Sequence, residues 1–295
     1  MTKIPVFTDD PGWHGKRLQE AFAVRGYQAV FISLKDCFLN LTAGSSAVVI
    51  PGFDVLPPFA FVRGVPGGSL QQVIARLDIL HALEMLGVEV YNTGRAVERT
   101  VDKAMTSFLL HYHGVATPDT WVCESRHHAH EIIERETSAG HQLVIKPLFG
   151  SQGNGVRLIK QGDQLPVPMQ QYVDGLYYLQ RYVDSGEGQW HDHRVFVIQG
   201  KAVAAMVRHG TSWVNNVALG GRCESVSLCG DLIELAEAAS KAVDIDYCGV
   251  DIIRDPSGRA YVLEVNSIPA WKGLQTVVDM DIAQALVDDC LGLVA

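Results

Sequence analysis

LVIKPLFGSQGNGVRLIK, residues 143–160, is the stretch from which the rest of the chain is read. Apolar runs on both sides flank a turn in which Gly150, Gly153 and Gly155 are set among Ser151, Gln152 and Asn154. Strand, glycine-rich loop and strand follow one another, which is hairpin chemistry. Glycines at such a turn let the backbone curl so that several N–H groups point at one anion. A Walker loop would need G-x-x-x-x-G-K-[ST] before a helix, and a Rossmann fingerprint would also open a helix, so neither fits. A purely structural turn has the same composition. Lys146, between Ile145 and Pro147, sharpens the choice, because a lysine in an apolar strand either snorkels to the surface or points into a site. Lys103, in VDKAM, opens a helical pattern and taken alone is an ordinary helix lysine.

The second informative segment is CGVDIIRDPSGRAYVLEVN, residues 248–266, two strands joined by a DPSG turn. Glu264 and Asn266 are two apart and share one strand face, and Asp251 stands on the facing strand. Such oxygen-bearing side chains converging among apolar residues are costly unless a hard cation such as Mg²⁺ compensates. Alternation equally allows Asp251 and Glu264 to face solvent.

Outward from these segments, the first third alternates strands (KIPVF 3–7, QAVFI 28–32, SAVVIPG 46–52, FAFVRG 59–64) with helices over 13–24 and 69–86. The second helix is expected to bury Leu70, Val73, Ile74, Leu77, Leu80 and Leu83. Strands alternating with helices give a parallel α/β domain. From Tyr177 strands dominate, and an apolar helix over about 280–292 follows. The expected segments are 1–95, an N-terminal α/β domain; 96–182, a subdomain with the glycine-rich flap; and 183–295, a subdomain with the acidic hairpin. The class is therefore mixed, α/β followed by α+β.

The 295 residues carry 24 Lys and Arg against 33 Asp and Glu, a net charge of −9, which argues against a nucleic-acid or anionic-membrane surface. No run approaches a membrane span or a signal h-region, so a cytoplasmic protein is expected. The six scattered cysteines form no C-x-x-C pair and read as buried or inert thiols.

Taken in order, Asn92, DK (102–103), GVATP (114–118), VIKPLFGSQGNGVRLI, LQRYV (179–183), DHRVFVIQG (192–200), GVDII and LEVNSIPAWKGL resemble the ATP-grasp ligases. Within that superfamily the chain is similar to the RimK-like α-L-glutamate ligases, including those acting on tetrahydromethanopterin. The resemblance implies an ATP-grasp fold behind an N-terminal parallel-sheet domain, with ATP and two Mg²⁺ (or Mn²⁺) ions. It also implies a carboxylate–amine ligation through an acyl phosphate. Matched position by position, Lys103 and Lys146 hold the phosphates and Ser151, Gln152, Gly153 and Gly155 belong to the flap. Gln180, Arg181 and Tyr182 lie at the adenine, the last two through backbone groups. Asp251, Glu264 and Asn266 are the metal ligands, and Arg194 and Arg208 stand by the transferred phosphate, Arg208 as the oxyanion's cation. Arg63 and Asn216 are expected at substrate. The expected partners are a small-molecule carboxylate acceptor and an amino acid, L-glutamate being favoured, in a homodimer or homotetramer.

One departure stands out. Val214 and Leu219 occupy positions where the ribosomal-protein type carries cations, so a less acidic, more aromatic acceptor is favoured, with Trp213 and Trp271 suited to a flat ring. A small coenzyme precursor, pterin- or methylofuran-like, is then preferred over a protein or peptide tail. A non-catalytic ATP-binding regulator is the rival from another class. His127, His128 and His130 read as a solvated helix face, His193 as a strand neighbour, and His14 as a contributor to acceptor binding. Arg63 reads equally as a ligand-binding strand end or a surface salt bridge.

Overall fold

The computed structural model describes residues 1–44, 46–150, 155–163, 175–186, 190–213 and 221–292. Ser151, Gln152, Gly153, Val214, Asn216 and Leu219 lie outside the described residues.

In chain order, β1 (Thr2–Phe7), α1 (Gly12–Val24), β2 (Tyr27–Ile32), β3 (Phe38–Leu39), β4 (Val48–Val49), β5 (Phe59–Val62), α2 (Leu70–Met85) and β6 (Glu89–Tyr91) make the first unit. Its sheet runs β2-β1-β5-β6, parallel throughout, as alternating strands and helices require. The expected strand at 46–52 shrinks to Val48–Val49 and pairs antiparallel with β3 outside that sheet, Pro51 and Gly52 turning the chain away. Ser69 caps α2 in a capping box with Gln72, which fixes where the helix starts. That helix buries Leu77, Ile79, Leu80 and Leu83, while Leu70 and Ile74 are exposed. Helical spacing marks a face and does not by itself say which residues along it are covered.

α3 (Gly94–Val101) and α4 (Lys103–Tyr112) lead into β7 (Thr120–Cys123), α5 (Arg126–Ser138), β8 (Leu143–Lys146), β9 (Arg157–Ile159) and β10 (Tyr177–Arg181). These strands form an antiparallel sheet, β7-β10-β8-β9, whose core is packed against α5. A larger antiparallel sheet, β13-β12-β11-β14-β15, follows from β11 (His191–Ile198), β12 (Lys201–His209), β13 (Arg222–Ser225), β14 (Tyr247–Arg254) and β15 (Ala260–Asn266). α6 (Gly230–Val243) covers one face of it through Leu232, Ala236, Ala239 and Val243, small residues that let helix and sheet approach closely. α7 (Lys272–Gln275) and α8 (Ile282–Cys290) complete the described chain.

The other face of the large sheet is not independent of the first unit. Ile4, Phe22, Phe61 and Tyr91 share one core with Phe196, Tyr247, Trp271 and Leu286. Sequence placed the last helix with the third segment, but α8 packs on α1, and Arg25 clasps Asp288 through two hydrogen bonds of 2.6 and 2.7 Å. Asn92, wholly buried, bridges the junction. Its Nδ2 donates to the carbonyls of Tyr247 and Ser267 at 2.8 Å each, and its Oδ1 accepts from the Tyr247 N–H at 2.9 Å.

All six cysteines are unpaired, and Cys229 is exposed rather than buried. No helix among the described residues is long and apolar enough to cross a membrane.

Asn92→Ala removes three buried hydrogen bonds and leaves three main-chain groups without partners. A loss of roughly 2–4 kcal/mol is expected, read as a lower midpoint in urea unfolding with little change in slope.

Candidate active site

The centre of the large sheet carries a row of charge where strand alternation puts apolar residues on the opposite face. Asp192 and Arg194 are two apart on β11. Asp192 stands directly across from Arg208 on β12, Arg194 directly across from Asp251 on β14, and Asp251 directly across from Glu264 on β15. Arg194 grips Asp251 through two bonds of 2.7 Å. Arg208 is buried, clasped by Asp192 and 3.0 Å from Asp251. A bulge after Asp251 breaks the β14–β15 register at this point, a common way to aim side chains at a site. Gly249 is needed beside it, since a Cβ there would sit 3.0 Å from the Pro269 Cβ and 3.4 Å from the Arg194 Cδ.

Electrostatics follow from this packing. Burial alone would raise the pKa of Asp251, but Arg194 and Arg208 hold it below the usual carboxylate range. Glu264 goes the other way, pushed up by burial and by the neighbouring Asp251 charge, and the two carboxyls share a hydrogen bond. A cation bound between the two carboxyls would relieve that repulsion. Asn266 adds an amide, its Nδ2 3.1 Å from Glu264 Oε1. Two carboxylates and an amide are hard oxygen donors of the kind Mg²⁺ takes. No group of three or more His, Cys, Asp or Glu forms a further metal-binding cluster among the described residues.

The lysines arrive from separate elements. Lys146, last residue of β8, has its Nζ 2.6 Å from Gln180 Oε1, and Gln180 in turn donates to Thr120 Oγ1 at 3.1 Å. Lys103, first residue of α4, donates to the Gly150 carbonyl at 2.7 Å, at the foot of the glycine-rich loop. Burial lowers the pKa of Lys103, opposed by Glu264, and brings that of Lys146 down to about 8, with Glu264 opposing and Lys103 adding to the fall. Each therefore feels Glu264, and the four segments converge. Gly155, beyond the loop, has φ +73, a conformation that favours glycine.

Other expectations fare differently. The backbone N–H groups of Arg181 and Tyr182 are already bonded to the carbonyls of Asp119 (2.8 Å) and Gln142 (2.9 Å), so they cannot also donate to a purine ring. The Arg181 side chain joins Asp119 and Glu136. Trp271 is wholly buried, which removes it as a platform for a flat acceptor. Trp213, partly buried, meets Tyr182 edge-on at 6.0 Å. Arg63 makes no salt bridge with any described residue; its guanidinium lies over the Trp271 ring. His127 and His128 are exposed, His130 is partly buried, and His193 is kept neutral, burial and Arg254 bringing its pKa down to about 4.

Sequence reasoning missed Asp192 as the counter-charge of Arg208, although D-x-R at strand period puts Asp192 and Arg194 on one face. It also missed Tyr178, which shares a face with Gln180 and bonds Ser107 on α4 at 2.7 Å. Gly249 carried no signal at all.

Two lysines from separate elements lie beside a hairpin of hard oxygen donors, an arrangement that suits a Mg-nucleotide. The chain belongs to the RimK-like ATP-grasp domain family, which residues 100–290 match. It is 33% identical over 237 residues to tetrahydromethanopterin:α-L-glutamate ligase of Methanococcus maripaludis, covering 79% of this chain and 78% of that protein. It is 28% identical over 291 residues to a probable α-L-glutamate ligase of Aeromonas salmonicida, covering 97% and 95%. Among solved structures, the ATP-grasp ligase PsnB complexed with minimal precursor superposes with a TM-score of 0.75 at 18% identity, covering 99% of both chains. A RimK domain protein from Sphaerobacter thermophilus superposes with a TM-score of 0.68 at 20% identity, covering 99% of this chain and 100% of that one. The protein is thus a ligase of the α-L-glutamate ligase family, and ATP and Mg²⁺ are the cofactors that family uses.

Two outcomes follow. The resemblance assigns Lys146 to the nucleotide phosphates; on that assignment affinity for Mg-nucleotide should be flat below pH 8 and fall above it. Lys146→Arg, which stays protonated, should flatten that profile, as titration calorimetry from pH 6.5 to 9.5 would show. Arg208→Leu takes from buried Asp192 the guanidinium that clasps it, so it should lose roughly 3–5 kcal/mol of stability in denaturant melts as well as turnover.

Proposed function

We propose that the protein joins L-glutamate to the carboxylate of a small coenzyme precursor, tetrahydromethanopterin- or methylofuran-like, at the expense of ATP. The convergence of Lys103, Lys146, Asp251 and Glu264 carries the ligase chemistry. The identity to tetrahydromethanopterin:α-L-glutamate ligases supports the acceptor class. In this reading Lys103 and Lys146 orient and neutralise the phosphates, and Ser151, Gln152, Gly153 and Gly155 are assigned to the same phosphates. Gln180 fixes the Lys146 ammonium and, with Arg181 and Tyr182 on the same strand end, borders the adenine.

Asp251, Glu264 and Asn266 would hold Mg²⁺ (or Mn²⁺), which when bound draws off phosphate charge; a count of two ions rests on the family resemblance. The acceptor carboxylate attacks the γ-phosphorus and forms an acyl phosphate with departure of ADP. The glutamate amine then displaces phosphate, forming the amide. Arg194 and Arg208 are pinned by Asp251 and Asp192, so they need no reorganisation to meet the charge developing on the acyl oxygen; Arg208 is the cation assigned to the oxyanion. Asn216 is assigned to substrate. No side-chain nucleophile enters this scheme. A second reading, a peptide acceptor, is favoured by the fold neighbours, several of which are described with precursor peptides. The third, a non-catalytic ATP-binding regulator, is opposed by the intact set of lysines and oxygen donors. A homodimer or homotetramer acting in the cytoplasm completes the proposal.

ADP release measured across amino acids and carboxylate acceptors tests this directly. Turnover with L-glutamate and a small acid is expected, and Glu264→Ala should lower kcat at least 100-fold while circular dichroism is unchanged. Retained activity in that variant would remove Glu264 from the metal site. Turnover only with a peptide would overturn the small-acceptor assignment, and Mg-ATP binding without ADP release from any pair would favour the regulator.

A further inference from the structure

Arg63 follows β5, at the C-terminal edge of the parallel sheet, its backbone N–H held 2.9 Å from the Phe7 carbonyl. The guanidinium carbon is 5.0 Å from the centre of the Trp271 ring. Its Nε is shut off from solvent and has no acceptor, and the side chain forms no ion pair among the described residues. Burial lowers its pKa, and exposed Asp10 acts on it only through space. A cation left in that state is costly unless something else neutralises it.

Its surroundings offer donors. Trp271 is wholly buried, and its indole Nε1–H also has no acceptor. His14 lies 4.6 Å from the Trp271 ring, and its Nε2 accepts from the Trp271 backbone N–H at 3.1 Å. That bond places the imidazole proton on Nδ1, a further donor. His14 stands in the first turn of α1, whose N-terminus no side chain caps. One cation and two ring N–H groups lie around Trp271 near the α1 N-terminus; the Asp10 carboxylate stands at that helix end and forms no ion pair with Arg63 among the described residues. What they lack is a pair of oxygens with one negative charge. The guanidinium fork matches a carboxylate, whereas a phosphate dianion would stay half neutralised.

The position ties this cluster to the reaction. Trp271 is five residues past Asn266, and Pro269 between them packs against Gly249 beside Arg194. A ligase that joins an acid to an amino acid meets more than one carboxylate, and only one is activated at Arg208. We propose that Arg63, with the N–H groups of His14 and Trp271, forms a subsite for the carboxylate of a substrate that is not activated. The subsite deepens the ligase reading and rests on it for the identity of the substrate.

The experiment follows the Arg63 Nε–H and Trp271 Nε1–H signals of ¹⁵N-labelled protein, with and without Mg-AMP-PNP. The signals are assigned with Arg63→Lys and Trp271→Phe. Glutarate, L-glutamate and inorganic phosphate are the probes. Either carboxylate should shift both signals saturably at millimolar concentration. Arg63→Lys should weaken binding about tenfold and Arg63→Gln should abolish the indole shift, both variants still binding Mg-AMP-PNP. Tighter binding of L-glutamate assigns the subsite to the amino acid, and tighter binding of glutarate to the acceptor acid. No shift with either carboxylate, an equal or larger shift with phosphate, or an indole shift surviving in Arg63→Gln would overturn the subsite. Failure of the wild type to bind Mg-AMP-PNP would instead count against the ligase reading, since the carboxylate shifts are read without nucleotide as well.

Discussion

Asp251 is held between Arg194 and Arg208, and the rest of the site depends on that clasp. A carboxylate buried at the centre of a five-stranded sheet is unstable alone, and two guanidiniums make it tolerable. Their geometry in turn is set by strand pairing, because Arg194 and Asp251 are opposed residues on β11 and β14. Beside the Asp251 charge, buried Glu264 has its pKa pushed up. The two carboxyls and Asn266 are the hard oxygen donors proposed to hold a divalent cation. Asp192 does for Arg208 what Asp251 does for Arg194. Both arginines are consequently rigid, a condition for stabilising charge that appears only during reaction.

The clasp needs its sheet to be anchored, and the anchor comes from the other end of the chain. Asn92 ties the end of the first unit to Tyr247 and Ser267, the start of β14 and the end of β15. Tyr247 returns the connection by donating to the Val62 carbonyl, one residue before Arg63. The metal-type hairpin and the Arg63 cluster therefore move as one body. α8 closes the same junction from outside, packing on α1 after the chain has crossed the large sheet.

Much of the site was legible from residue order. Lys146 in an apolar strand before a glycine-rich loop, and two acids with an asparagine on a hairpin, are unusual enough in sequence to be singled out. Strand alternation left Asp251 and Glu264 free to face one another or solvent, and the β14–β15 register sets them opposite each other. Alternation could not show that Arg181 and Tyr182 have spent their N–H groups on Asp119 and Gln142, because those bonds join residues 40 or more apart. Nor could helical period tell that Leu70 and Ile74 are exposed, since burial depends on what packs against the helix along its length.

By itself, the sequence determined the alternation of elements, the parallel first sheet, the loop and hairpin that carry chemistry, and the family. These depend on local spacing and on residue types that are costly anywhere but in a site. Only the tertiary structure decided which charges neutralise one another. Asp192 became the partner of Arg208, Trp271 became core, and Arg63 has no ion pair among the described residues. Pairing of buried charge is fixed by ångström-scale proximity across strands that sequence separates, and a linear reading contains no such distance.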